Sequence, residues 1–396
     1  MIREQITRRG RITFAEYMEL ALYSPELGYY TSAHPVIAAE GDFFTSPVTH
    51  PVFAALLTRQ LEQMWRLLGR PADFQIIETG AGNRLLARDI TGYLPRLSPA
   101  FSRAARYFTV ERERVTAYSE ELEKPAALPD DVCGCFLSNE LLDALPTHRV
   151  VMRDGALREA YVILNNGEFA ETWDEPSTPA LADYLAGENI TLAEGQQAEI
   201  NLNIGPYFED IARRLRRGYV ITIDYGYPAA ELYTAERRSG TLMTYYHHMP
   251  GGNPYAHIGA QDITSHVDFT AAVLSGERHG LNCRVLLTQR EFLLNLGFHE
   301  YIDGLAGMGL SNPEYLANRY AMLELVREEG MGGFRVLLQS REAPAIPLYG
   351  KVPEKKSQTR KAAKSSLPVP LLDREHLPLF LGKYPQYQGI SDDVWQ

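Results

Sequence analysis

The sequence predicts an α/β fold: a mostly parallel sheet with helices on both faces, an inserted antiparallel β region and an N-terminal helical segment. Two observations carry this. Short, near-continuous apolar strands alternate with helical stretches from residue 71 onward, the pattern of strands buried on both faces. Between residues 149 and 172 the pattern changes, and Val, Tyr and Ile alternate with polar residues around Asp154-Gly155 and Asn165-Asn166-Gly167, which are hairpin turn signals.

The opening segment, residues 1–70, reads as helical. Thr13 can cap a helix in which Phe14, Tyr17, Met18, Ala21 and Leu22 share one face, and Pro25 and Gly28 stop it. A loop, Gly41-Asp42-Phe43-Phe44-Thr45-Ser46-Pro47, leads to a second helix over 51–68. Residues 71–341 then form the main domain. Strands are expected over 74–78, 107–111, 132–138, 219–224, 284–287 and 334–339. Helices are expected over 85–94, over the charged stretch after Glu111, and over 207–217. The β insertion covers about 147–175 and a Gly-, His- and Tyr-rich loop insertion about 239–265. Residues 342–366 read as a linker, and 367–396 as a tail that folds back on the body or docks a partner.

Composition narrows the function. The 396 residues are 45% hydrophobic with a net charge of −11, and no apolar run approaches the ~20 residues a membrane span needs. Residues 351–366 hold six basic residues and one acid, so the rest of the chain is more acidic still, at −16. An acidic body argues against a nucleic-acid partner and is compatible with a cationic substrate. Cys133, Cys135 and Cys283 form no redox or zinc framework, and no signal peptide is read, so the expected compartment is the cytoplasm. His247-His248, His257 and His266 lack metal-ligand spacing, and no metal is expected.

The central motif is a strand ending in Glu78-Thr79-Gly80-Ala81-Gly82, followed by a helix. Glycines allow a tight turn and close backbone approach, and the helix start offers unpaired N–H groups. A nicotinamide fingerprint would place a third glycine where Leu85 stands. An acid before the first glycine suits a cofactor with a cationic amino group, such as S-adenosylmethionine, although a plain βα turn has the same spelling. Glu111 ends the next strand, where an acid can accept hydrogen bonds from ribose hydroxyls. The third strand runs into Ser138-Asn139-Glu140-Leu141-Leu142-Asp143. Its two carboxylates, Glu140 and Asp143, can hold a guanidinium or can simply favour a helix start. Asp224 ends the fourth strand, and His266 is a candidate general base.

Eight motifs in order resemble the MidA-type methyltransferases, the bacterial relatives of mitochondrial complex I assembly factors that methylate arginine. They are Arg11-Ile12-Thr13-Phe14-Ala15-Glu16-Tyr17-Met18, Leu27-Gly28-Tyr29-Tyr30-Thr31, the 41–47 loop and the 78–82 loop. Asn139 to Pro146, Asp224-Tyr225-Gly226-Tyr227, Gly240-Thr241-Leu242 and the 262–269 segment follow. The resemblance covers about residues 8 to 340. It implies a class I (Rossmann-like) methyltransferase fold, S-adenosyl-L-methionine as cofactor, and cofactor contacts at Thr45, Ser46, Gly80, Gly82 and Glu111. It also implies that Asn139, Glu140 and Asp143 face the substrate. Together with the strand-end reading, the expected cofactor set is Thr45, Ser46, Glu78, Gly80, Gly82, Glu111 and Asn139, and the expected catalytic set is Glu140, Asp143, Asp224 and His266. Two departures stand out: Val48 replaces an acid after Thr45-Ser46-Pro47, and Asn83-Arg84 replaces a second glycine pair. The expected reaction is methylation of a protein side-chain nitrogen, arginine favoured. The alternatives are a small-molecule N- or O-methyltransferase and a non-catalytic assembly factor that binds the cofactor. A protein substrate is the expected partner, a small molecule the alternative; a homodimer is left open, and neither nucleic acid nor membrane is expected.

Overall fold

A computed structural model describes residues 1–32, 45–111, 114–117 (backbone only), 128–246, 249–346 and 367–376. The 41–44 part of the Gly-Asp-Phe-Phe loop, His247-His248, most of the 342–366 linker and the tail beyond 376 lie outside these residues. The chain forms two compact units, one of residues 44–139, 211–223 and 280–396 and one of residues 1–43, 140–210 and 224–279.

The first unit holds a seven-stranded sheet. In spatial order its strands are Asn282–Thr288, Arg335–Arg341, Leu215–Asp224, Val132–Asn139, Phe74–Thr79, Ala105–Glu111 and Arg114–Ala117. Leu215–Asp224, Val132–Asn139, Phe74–Thr79 and Ala105–Glu111 pair in parallel, and antiparallel pairs close both edges. The chain builds outward from Phe74–Thr79 to one edge, then returns to add Val132–Asn139 on the other side. The carboxyl ends of these two neighbours therefore form a topological switch point, where ligands bind in open α/β sheets. Phe53, Leu57, Phe74, Ile76, Ile221 and Leu338 belong to the core of this unit.

The other unit is mainly antiparallel. His148–Arg153, Ala156–Asn165 and Glu168–Asp174 form successive hairpins. Their turns place Asp154 and Gly155 at φ 54° and 70°, and Asn166 and Gly167 at 52° and 86°, the double positive φ that Asp-Gly and Asn-Gly tolerate. Gln197–Ile200 extends this sheet beside His148–Arg153. Thr13 caps the helix Phe14–Tyr23 in a full capping box with Glu16, a motif worth about 1 kcal/mol.

The structure corrects three expectations. The N-terminal segment is divided: Ile12–Thr13 pairs with Ala156–Asn165, so residues 1–43 group with the β insertion, and only the part from residue 44 joins the parallel sheet. Of the stretch after Glu111 expected to be helical, Arg114–Ala117 form a strand paired back on Ala105–Glu111, and residues 112–113 and 118–127 lie outside the described residues. The 239–265 loop contains a small sheet of Met243–Tyr246, Met249–Gly251 and Asp262–Thr264.

Residues 367–376 form a strap on the parallel-sheet unit. Tyr93 donates to the Pro368 carbonyl (3.1 Å), and the Leu372 amide donates to Asn318 Oδ1 (2.9 Å). His376 is fully buried between Asp89 Oδ2 and Asp373 Oδ1, each at 2.8 Å. Arg88 bridges to Asp373 and Glu375. The strap is thus fastened to the helix Leu85–Tyr93, which begins just after the glycine loop.

Candidate active site

In the parallel-sheet unit the 78–84 segment turns sharply. Gly80, Gly82 and Arg84 have φ of 72°, 52° and 62°, values that glycine adopts freely and arginine does not. Arg84 is the N-cap of the helix Leu85–Tyr93, and its amide donates to the Ala81 carbonyl (2.8 Å). The turn is held to the neighbouring strand by Gly80 N–H to the Val110 carbonyl (2.9 Å) and Gly82 N–H to Glu111 Oε1 (2.6 Å). Burial pushes the Glu111 carboxyl up, while the Gly82 amide and the Arg84 charge pull it down. The substituted Arg84 therefore lies within electrostatic reach of the expected ribose acid.

Glu78 is 3% exposed. Tyr107 donates to its Oε2 (3.0 Å), and among the described residues it has no cationic partner. Burial pushes it up to about 8, against the pull of the Tyr107 hydroxyl. A buried carboxyl lacking a counter-charge is costly to ionise until a cation arrives. This buried carboxylate acceptor fits the ammonium end of S-adenosylmethionine.

The remaining expected cofactor residues divide. Asn139 closes its strand at the switch point and is buried. Thr45 precedes the four-residue helix Ser46–Thr49. Ser46 is fully buried, and its hydroxyl donates to Gln289 Oε1 (3.0 Å). That hydroxyl is engaged in packing rather than presented to a ligand, which corrects the expectation for Ser46.

The four expected catalytic residues all belong to the antiparallel unit. Glu140 is half-buried and holds φ 50°, a conformation that costs an ordinary residue roughly 1–2 kcal/mol. The following backbone N–H groups converge on Asp224: Leu141, Leu142 and Asp143 donate to its Oδ2 at 3.1, 2.9 and 3.4 Å. Asp224 Oδ1 accepts from the Tyr225 amide (2.9 Å). Asp224 is fully buried. Burial and the nearby Asp143 and Glu140 push it well up, while its amide donors favour the charged form. A carboxylate so occupied anchors the loop, and it is poorly placed to accept a proton from a substrate.

Asp143 is 4% exposed. Tyr225 donates its hydroxyl to Oδ2, whereas Oδ1 has no side-chain donor among the described residues. Burial pushes the carboxyl up to about 6, with Tyr225 pulling it down. His266 sits edge-on to Tyr225, ring centroids 5.6 Å apart, and near Tyr227. Burial and Arg237 push it down to about 4, so it is neutral at pH 7 and a weak base. That argues against the proton-accepting role expected of it.

The structure adds residues that spacing could not assign. Tyr30 donates to Asp262 Oδ2 (2.6 Å) and stacks on Tyr23. Thr241 takes the His266 amide on Oγ1 (3.1 Å) and is itself held by Glu199. Each stands in a motif quoted above, so the signal was their membership in those motifs. Among the described residues no group of three or more His, Cys, Asp or Glu could hold a metal ion, and no helix is long and apolar enough to cross a membrane.

Comparison with known proteins bears on this geometry. The sequence model of a family described as S-adenosyl-L-methionine-dependent methyltransferase matches residues 56–287. The chain is 27% identical over 367 residues to the protein arginine methyltransferase NDUFAF7 homolog of Drosophila melanogaster, covering 81% of this chain and 80% of that one. The Danio rerio protein arginine methyltransferase NDUFAF7 is 24% identical over 379 residues, covering 81% and 85%. The fold is similar to the crystal structure of a Burkholderia thailandensis protein bound to S-adenosyl-homocysteine. That match has a TM-score of 0.74 and 28% identity, and covers 88% of this chain and 93% of the other.

Proposed function

Since this chain belongs to the family of S-adenosyl-L-methionine-dependent methyltransferases, we propose that its acceptor is a protein side-chain nitrogen, with arginine favoured. The enzyme is an S-adenosylmethionine-dependent methyltransferase of class I fold. Bound, the cofactor supplies a sulfonium methyl group. Glu78 would hold its ammonium, and the Gly80–Gly82 turn would let the backbone approach it closely. Glu111 would exchange the Gly82 amide for the ribose hydroxyls.

One observation carries the acceptor reading. Glu140 is held at positive φ directly after a sheet strand, and three residues on, Asp143 is buried with one oxygen lacking a side-chain donor. Unusual backbone held firmly is common at functional sites. A guanidinium is protonated at neutral pH, with a pKa above about 12, and two carboxylates match its planar donors. Glu140 and Asp143 would orient it and draw its charge to the nitrogens facing them, leaving the far nitrogen richer in electrons. Methylation of a guanidinium releases one proton. Asp143, pushed up to about 6, is better matched to take it than His266 or the amide-filled Asp224. The relatives named as protein arginine methyltransferases support the same acceptor. The unframed cysteines support a reducing compartment, the cytoplasm.

The test is Glu140→Gln, assayed with labelled cofactor and a lysate, alongside calorimetry of cofactor binding. Methyl incorporation should fall by about 100-fold with cofactor affinity retained. Undiminished incorporation removes Glu140 from the acceptor site.

A further inference from the structure

We infer that Tyr225 is a positioning residue for the acceptor: its hydroxyl holds Asp143 Oδ2 so that Oδ1 is the oxygen left for the incoming nitrogen. This rests on the acceptor reading above. The pair is fixed at its backbone as well as its side chains. Asp224 receives the Tyr225 amide on one oxygen and the amides of residues 141–143 on the other, so one carboxylate sets the spacing of both partners. The 265–267 segment adds a second tie: Ser265 N–H donates to the Asp143 carbonyl and Val267 N–H to the Tyr225 carbonyl, both at 3.0 Å. The Tyr225 ring is flanked by His266. Asp143 is thereby held in place with Oδ2 engaged by Tyr225 and Oδ1 buried without a side-chain donor.

The arrangement recurs nearby, where Tyr30 donates to Asp262 Oδ2 while the Ile263 amide takes Oδ1 (2.7 Å). There a phenol and a backbone amide engage both oxygens; at Asp143 the Ala144 and Asp143 amides also favour the carboxylate, but Oδ1 has no side-chain donor. Asp224 and Glu140 are the acids near Asp143, and Tyr30, Tyr225 and Tyr245 are the phenols. Of these, the Tyr225 hydroxyl is the side-chain donor that favours the Asp143 carboxylate.

Tyr225→Phe keeps the ring beside His266 and removes the hydroxyl, which donates to Asp143 and also meets the Thr264 side chain. The pH profile of kcat/KM is measured for the wild type, Tyr225→Phe and Asp143→Asn, with melting and cofactor binding as checks on folding. The wild-type profile should fall on the acid side near pH 6. In Tyr225→Phe that limb should move up by about one pH unit. The variant's deficit should be roughly fivefold at pH 6, approach about tenfold at lower pH and narrow as pH rises. A uniform loss across pH with an unmoved limb, or a variant that melts early and loses cofactor binding, overturns the inference. If Asp143→Asn keeps wild-type turnover and its acid limb, the acceptor reading itself fails.

Discussion

Cofactor binding should release a proton, and the source should be Glu78. Burial raises this carboxyl to about 8, so at pH 7 roughly nine-tenths of it is protonated in the free enzyme. A bound ammonium favours the carboxylate, and binding then expels about 0.9 proton. The cofactor's own α-amine, with an ordinary pKa of about 7.7–8.0, takes up about 0.1 on binding as a cation, leaving a net release of about 0.8. The same equilibrium makes affinity depend on pH. Between pH 6 and 7 the ionised fraction of Glu78 rises about ninefold, while the protonated amine falls only by about a tenth, so affinity should tighten by roughly eightfold. Calorimetry in two buffers of different ionisation enthalpy measures the proton count, and repeating it from pH 6 to pH 7 measures the affinity slope. Glu78→Gln should bind more weakly, with a flat slope and a proton count near zero. If that variant keeps the slope and the release, Glu78 is not the ammonium partner.

Two further predictions concern stability. Gly240 has φ 72°, and a Cβ there would lie 2.4 Å from Glu199 Oε1. Gly240→Ala should therefore destabilise the enzyme by about 2 kcal/mol or more, read as a lower denaturation midpoint. His376 is raised above its usual range by Asp373 and Asp89, despite its burial. Its contribution should be full below about pH 6.5, where the unfolded imidazole is also charged, and fade as pH rises through the folded value. His376→Ala should cost about 1–3 kcal/mol at pH 6 and less at pH 9. Equal losses at both pH values would show that the strap is held by packing rather than by charge.

The elements most legible in the sequence were those whose cause is local. Asp154-Gly155 and Asn166-Gly167 mark their hairpins because few residues accept positive φ, and Thr13 with Glu16 spells its capping box. The Phe74–Thr79 strand and its glycine turn were equally plain. What escaped was set by distant partners. Ile12–Thr13 becomes a strand only because Val162 and Tyr161 lie opposite. The helix Ile2–Arg9 falls in the segment read as helical, although only Ile6 among its residues is buried. The site divides likewise: motif and strand-end positions singled out Glu78, Glu111, Glu140 and Asp143 as candidates, but not that Asp224 would be occupied by the amides of residues 141–143. Tyr225 and Asp143 are 82 residues apart, and no spacing rule joins them. The motif Gly240-Thr241-Leu242 looked functional by its order in the series. The structure gives its glycine a steric cause and its threonine a bracing one.

The division of the chain has a genetic consequence. The backbone passes from one unit to the other five times, after residues 43, 139, 210, 223 and 279. Neither unit is a contiguous stretch of sequence, so a single excision cannot remove one of them, and a gene duplication cannot copy one alone. Swapping the antiparallel unit between relatives, as modular enzymes do with domains joined end to end, would here require several simultaneous breakpoints. Two of the crossings fall immediately before Glu140 and Asp224. A recombinant joined there would inherit Glu140, Asp143 and Asp224 from one parent and the glycine turn from the other.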